Sequence, residues 1–202
     1  MRFGNNKTYF LETSEAFVAA CLNSPVGWFF SWRHFLHLKD EALSNDQVKI
    51  NVFPIPASTV EQAGIADAAI ADLLALKQQI SAATYTMVDW LRHEFGIANT
   101  PRTLSEPQRL NADSFVDVVR GAMPKSRKWS AAEIARLKQE YAQTVGPARD
   151  AATLVLGVER KLSDLANAAY GLTPEEVALM WRTAPPRMPL DPAEELRRLG
   201  LS

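Results

Sequence analysis

Apolar and polar positions are distributed along this chain in two different ways. The stretch Lys7-Thr-Tyr-Phe-Leu-Glu12 is short and β-prone, which predicts a strand. Thr13 or Ser14 then predicts an N-cap, with Glu15 in the first turn, where an acid suits the helix dipole. The run from Ala16 to Leu38 carries Phe17, Trp28, Phe29, Phe30, Trp32 and Phe35 and is apolar on nearly all sides, as in a buried helix. Ser24-Pro25 and Gly27 split this run in two, because proline lacks a donor and restricts the residue before it. Further on, Val48, Ile50 and Val52 alternate with Lys49 and Asn51. That period of two predicts a strand, ended by Pro54 and Pro56.

From about Ala57 the period changes to that of a helix. Residues 58–97 are dominated by Ala, Leu, Ile and Gln, with Ile65, Ala69, Leu73, Leu76 and Ile80 on one face. The helix runs on through Met87, Trp90 and Leu91 to Phe95, and Gly96 stops it. A shorter helix fits Asp113–Ala122. Ser130 and Glu133 form a capping box ahead of Ile134, Leu137 and Tyr141. Gly146-Pro147 is expected to interrupt that helix, with Pro147 in the first turn of the next. Leu154, Val158, Leu162 and Leu165 continue the helical spacing as far as Gly171. Thr173-Pro174-Glu175-Glu176 and Asp191-Pro192 each open a short helix, the last closed by Gly200. The fold class is α+β and predominantly α-helical. A small α/β N-terminal portion, residues 1–57, precedes a helical region, 58–202, in which long helices form a bundle or a hairpin.

Length and composition narrow the class. The chain has 202 residues, is 47% hydrophobic and 22% charged, and carries one cysteine. That is globular composition, with no disulfide framework and no cysteine-rich zinc site. No stretch reaches the roughly 20 apolar residues of a transmembrane helix, and the first residues lack a signal-peptide core, so no membrane association is expected and the expected location is cytoplasmic. The net charge of −1 hides an uneven distribution. Residues 101–138 carry 8 basic and 4 acidic side chains, whereas residues 139–181 carry 3 and 6. The basic excess centres on Lys125, Arg127 and Lys128 beside Trp129, a cluster able to touch phosphate.

Signs of catalytic chemistry are few. The sequence has no glycine-rich dinucleotide loop, P-loop, nucleophile elbow or His-Glu-x-x-His motif. His34 and His37 could approach a common metal, but the nearest acids are Asp40 and Glu41 and the single cysteine is far upstream. Glu159-Arg-Lys161 has a spacing common in nucleases, yet it lies in a strong helical pattern rather than on a strand. Cys21 sits among Ala19, Ala20 and Leu22 with no activating base nearby.

Three stretches resemble one family. Leu22-Asn-Ser-Pro-Val-Gly-Trp-Phe-Phe30, followed by Asn51-Val-Phe-Pro-Ile-Pro56, is similar to the target-recognition region of N6-adenine-specific DNA methyltransferases. The nearest group is the fused type IIG restriction–modification enzymes. Asp89-Trp-Leu-Arg-His-Glu-Phe-Gly-Ile97 resembles the helix that follows that region. Ala168-Ala-Tyr-Gly-Leu-Thr-Pro-Glu-Glu-Val177, with Trp181-Arg-Thr-Ala-Pro-Pro-Arg-Met-Pro189, resembles the C-terminal signature of the same proteins.

The resemblance implies a division of labour. In that family an N-terminal domain binds S-adenosylmethionine, and an Asn-Pro-Pro-aromatic motif positions the flipped adenine. Neither feature occurs here, so the resemblance implies a DNA-recognition fragment or subunit with no catalytic residues, cofactor or metal of its own. Residues 1–57 would then be a partial target-recognition region. The resemblance implies a chain inactive alone: the trailing part of a longer enzyme, or a truncated remnant. The expected partners are double-stranded DNA and a separate methyltransferase or nuclease polypeptide. Base-reading or phosphate-binding candidates are Arg33, His34, Lys39, Asn45, Gln47, Lys49 and Asn51, with Lys125, Arg127 and Lys128 on phosphate. The aromatic side chains Trp28, Phe29, Trp32 and Trp90 are expected in the core rather than stacked on bases. The alternative is a helical interaction module that docks a methyltransferase or nuclease without touching DNA.

Overall fold

The computed structural model describes residues 15–38, 43–44, 47–97, 99–184 and 190–201. The expected strand at 7–12 and the caps Thr13 and Ser14 lie outside them. Among the described residues the fold is predominantly α-helical, with eight α-helices and one antiparallel ladder two residues long. The helices are α1 (Ala16–Leu22), α2 (Pro25–His34), α3 (Gln47–Asn51), α4 (Val60–Phe95), α5 (Ala112–Gly121), α6 (Ala131–Ala169), α7 (Pro174–Arg182) and α8 (Pro192–Leu199). The ladder pairs β1 (Leu36–His37) with β2 (Leu43–Ser44). Two compact units result, Met1–Ala71 with Val158–Ser202, and Asp72–Gly157.

In the first unit, the split of the aromatic run falls where the proline predicts it. Pro25 opens α2, Ser24 accepts from the Gly27 amide, and the Ser24 hydroxyl donates to the Cys21 carbonyl at 2.6 Å. Gly27 makes this corner possible. A Cβ there would lie 2.3 Å from the Leu22 carbonyl oxygen. Glu15 is the N-cap of α1 rather than a first-turn residue, and its side chain makes no capping bond. The expected strand through Val48, Ile50 and Val52 is instead the helix α3. Val48 and Val52 are 72% and 66% exposed, so their alternation marks no buried sheet face. Ile50 and Phe53, three apart, lie on the protein side, and the Phe53 amide donates to the Ile50 carbonyl.

The same unit is closed by the C-terminal helices. Trp181 of α7 is almost wholly buried, its ring 5.6 Å from that of Trp28 on α2. Thr173 and Glu176 form the expected capping box of α7, and Asp191 caps α8. Gly171 and Gly200 adopt φ of 63° and 68°, the left-handed conformation that lets each helix end by returning an amide to its last turn. Tyr170 donates to the Pro54 carbonyl at 2.7 Å and packs on Phe53.

The second unit holds one continuous core. Met87 and Leu91 of α4, Ile97, Leu104, Phe115, Val116 and Val119 of α5, and Leu137, Tyr141 and Val145 of α6 are all buried together. Each such side chain contributes about 1.5–3 kcal/mol by leaving water. Asn111 caps α5, and Ser130 with Glu133 forms the expected box at the start of α6. The expected break at Gly146-Pro147 does not occur, and Pro147 lies inside α6. Gly146 has no Cβ for the proline ring to meet, and Val145, Ala148 and Ala151 bind the helix to the core on either side. The two predicted stripes hold at Ala69 and Leu162, which are buried, and at Leu73, Leu76, Ile80, Val158 and Leu165, which are half-buried, and depart only at their first members. Ala66 is buried where Ile65 is 43% exposed, and Val155 is buried where Leu154 is 60% exposed.

Candidate nucleic-acid interface

Three of the expected base-reading residues, Arg33, His34 and Lys49, meet at the C-terminal end of α2. Arg33 and His34 occupy its last turn and are exposed, and each rests on a ring one turn back. The Arg33 guanidinium carbon lies 3.4 Å over the Phe29 ring, and His34 lies 4.3 Å from Phe30. Arg33 Nη1 donates to the Phe29 carbonyl and Nη2 to Thr183 Oγ1, both at 3.3 Å. Lys49, on α3, donates to the His34 carbonyl, placing a cation at the negative end of α2. Asn51 ends α3 and is exposed. Lys39 and Asn45 lie outside the described residues, and of Gln47 only the backbone is described.

An aromatic base carries this group. Phe30 packs edge-on against Phe53 at 5.1 Å, and Phe53 against Tyr170. Trp28, Phe29 and Trp32 are half-buried, and the Trp32 ring meets that of His37. Burial raises the pKa of Tyr170, and the Cys21 thiol beside it adds to the rise; burial likewise raises that of Cys21.

The basic cluster of the second unit divides by environment. Lys125 and Lys128 are exposed. Arg127 is committed elsewhere. It donates to Glu133 Oε1 at 2.8 Å and lies 4.6 Å over Trp129 and 5.4 Å from the Phe95 ring centre. Glu133 in turn has its pKa lowered, first by the Ser130 amide, then by the Ser130 hydroxyl and Arg127. The neighbouring Arg136, which sequence reasoning passes over, bridges to Glu94 at 2.8 Å and covers Trp90. Its periodic place on α6 gives no hint of this pairing, 42 residues away in sequence.

No cluster of three or more metal-ligating side chains occurs among the described residues. The two histidines do not combine, since His37 Nε2 bonds the Trp32 carbonyl at 2.6 Å while His34 stacks on Phe30. Glu159 and Lys161 lie on α6, as their helical setting predicts. A cleft of about 530 Å³ runs between Gln108 and the face of α6 bearing Arg149, Asp150 and Thr153. No helix of the described residues is long and apolar enough to cross a membrane.

Together these features define a helical scaffold with donors exposed at the end of an aromatic helix. Residues 59–166, more than half of the chain, match a family described only as a domain of unknown function, DUF8810, and the chain belongs to that family. No curated protein and no solved structure matches it.

Proposed function

We propose that this chain is a DNA-recognition module of an adenine-specific DNA methyltransferase system. The observation that carries the reading is the pairing of Arg33 and His34 in the last turn of α2 with Lys49, which bonds the His34 carbonyl. Their donor chemistry suits base edges and phosphates. Arg33 spends two of its five N–H groups within the protein and keeps three. Lys49 spends one of three. The Asn51 carboxamide is of the type that pairs with adenine, and the remaining Arg33 fork suits guanine. Methyl transfer belongs to a separate polypeptide that would supply S-adenosylmethionine. The sequence resemblance supports this division.

The test is salt-titrated binding to duplex DNA. Affinity is expected to fall steeply between about 50 and 200 mM salt, and Arg33→Ala with Lys49→Ala to weaken binding at every salt concentration. Absence of binding at about 50 mM salt, where phosphate contacts are strongest, would overturn the reading.

A second reading, a helical module that docks a methyltransferase or nuclease, draws on one specific observation. Arg127 is held by Glu133, Trp129 and Phe95, which withdraws one of the three cations expected on phosphate.

A further inference from the structure

We propose that Thr183 is a positioning residue that sets which edge of the Arg33 guanidinium faces DNA; this rests on the DNA-recognition reading above. Thr183 follows α7 directly as its C-cap. Its hydroxyl donates to the Leu179 carbonyl at 2.8 Å, so its proton is already committed. The oxygen is left to act as an acceptor, and it receives Arg33 Nη2 at 3.3 Å. On the other side, Nη1 is fixed by the Phe29 carbonyl, and the guanidinium plane lies on the Phe29 ring. Two anchored nitrogens and one stacked face define the rotation of a planar group. Nε–H and one hydrogen on each Nη remain for a ligand.

The anchor is itself held in place. Trp181, two residues before Thr183, packs on Trp28 five residues before Arg33, so α7 meets α2 at two points one to two turns apart. Base discrimination by arginine depends on presenting two parallel N–H groups to the guanine acceptors. A guanidinium free to rotate keeps its charge, and therefore its phosphate attraction, but loses that geometry. Thr183 is therefore expected to act on sequence preference and leave electrostatic affinity alone.

The experiment uses the full chain and a duplex with randomised central positions, sequencing the bound fraction. Arg33→Ala should erase the preference at one position. Thr183→Val, which keeps the shape and removes the acceptor, should weaken that same preference about threefold to tenfold, the net worth of one solvent-exposed hydrogen bond. Thr183→Ser should restore it. The salt slope and the melting temperature should remain as in the unaltered chain. Thr183→Ala provides a second removal of the acceptor should the valine disturb folding. The inference is overturned if both acceptor-free variants keep the original preference, or if their effect persists undiminished in an Arg33→Ala background. A chain whose preference survives Arg33→Ala would instead sink the base-reading role of Arg33, and the inference with it.

Discussion

Arg160 donates its Nε–H to Glu195 across 2.6 Å, and the Glu195 carboxylate is wholly buried. Arg198 donates to the other oxygen at 2.7 Å, while Glu194 and Asp164 bind the outer faces of the two guanidinium groups. The pKa of Arg160 is raised, first by its bond to Glu195, and that of Arg198 first by its bonds to Asp164. This arrangement fastens α8 to the C-terminal end of α6. Arg160→Ala leaves the buried carboxylate to Arg198 alone, so it should cost about 1.5–3 kcal/mol, read as a lower denaturation midpoint. A change within error would mean the pair contributes little beyond its own desolvation.

Lys125 and Lys128 should differ from Arg127 in kind. Replacing both lysines with alanine should lower the salt slope of DNA binding by about two and leave the melting temperature unchanged. Arg127→Ala should instead lower the melting temperature, because it removes the pair with Glu133 and the covering of Trp129. Equal effects of all three on binding alone would show that Arg127 leaves its aromatic seat.

Acid should loosen the start of α6. The pKa of Glu133 is lowered in the folded chain, so its stabilising contribution is present above its ordinary value of 4.5. That contribution is lost as pH falls from there through the folded value. Glu133→Gln should therefore flatten the stability profile below about pH 4.5. Chemical denaturation at a series of pH values measures this, and an unchanged acid limb would refute it.

Two glycine-to-alanine changes should have opposite signs. At Gly27 the new methyl would lie 2.3 Å from the Leu22 carbonyl oxygen and 2.8 Å from that of Cys21, so backbone must shift. Stability should fall by about 1–3 kcal/mol. Gly64, inside α4, has open space around it. Alanine there should stabilise by up to about 1 kcal/mol through helix propensity. Melting curves of the two variants decide the matter.

Pro147→Ala should also stabilise the fold. The proline denies α6 one bond to the Gln143 carbonyl, four residues back, and restoring the amide should raise stability by about 1–3 kcal/mol. A loss, read from the same melting curves, would show that the ring's packing matters more than the missing donor.

Helix ends are the most legible part of the sequence. Ser24-Pro25, Ser130 with Glu133, Thr173 with Glu176, Asp191, Gly96, Gly171 and Gly200 all mark real boundaries, because capping chemistry is local and carried by neighbouring residues. Two kinds of signal mislead. The alternation at Val48, Ile50 and Val52 has strand period, but two of its three members face solvent, while Ile50 and Phe53, three apart, lie on the protein side as in a helix. At Pro147, contacts along the rest of α6 outweigh one missing hydrogen bond. The donors at the end of α2 are legible as residue types. Their partners are not, since Lys49 bonds His34 from another helix and Thr183 holds Arg33 from 150 residues away.

The hydrogen bond from Tyr170 to Pro54 joins positions 116 apart, within a unit assembled from two separate stretches of the sequence. The other unit, Asp72–Gly157, is one uninterrupted stretch. On the ribosome the residues up to Ala71 therefore emerge before the stretch from Val158 that shares their unit. The contact of Trp28 with Trp181 waits for α7, whereas every member of the middle stretch's core has emerged by then. During that interval the aromatic run around Trp28 and Phe30 is without its cover. Premature termination before Trp181 would thus remove the ring partner of Trp28 and leave the core of the central unit complete in sequence.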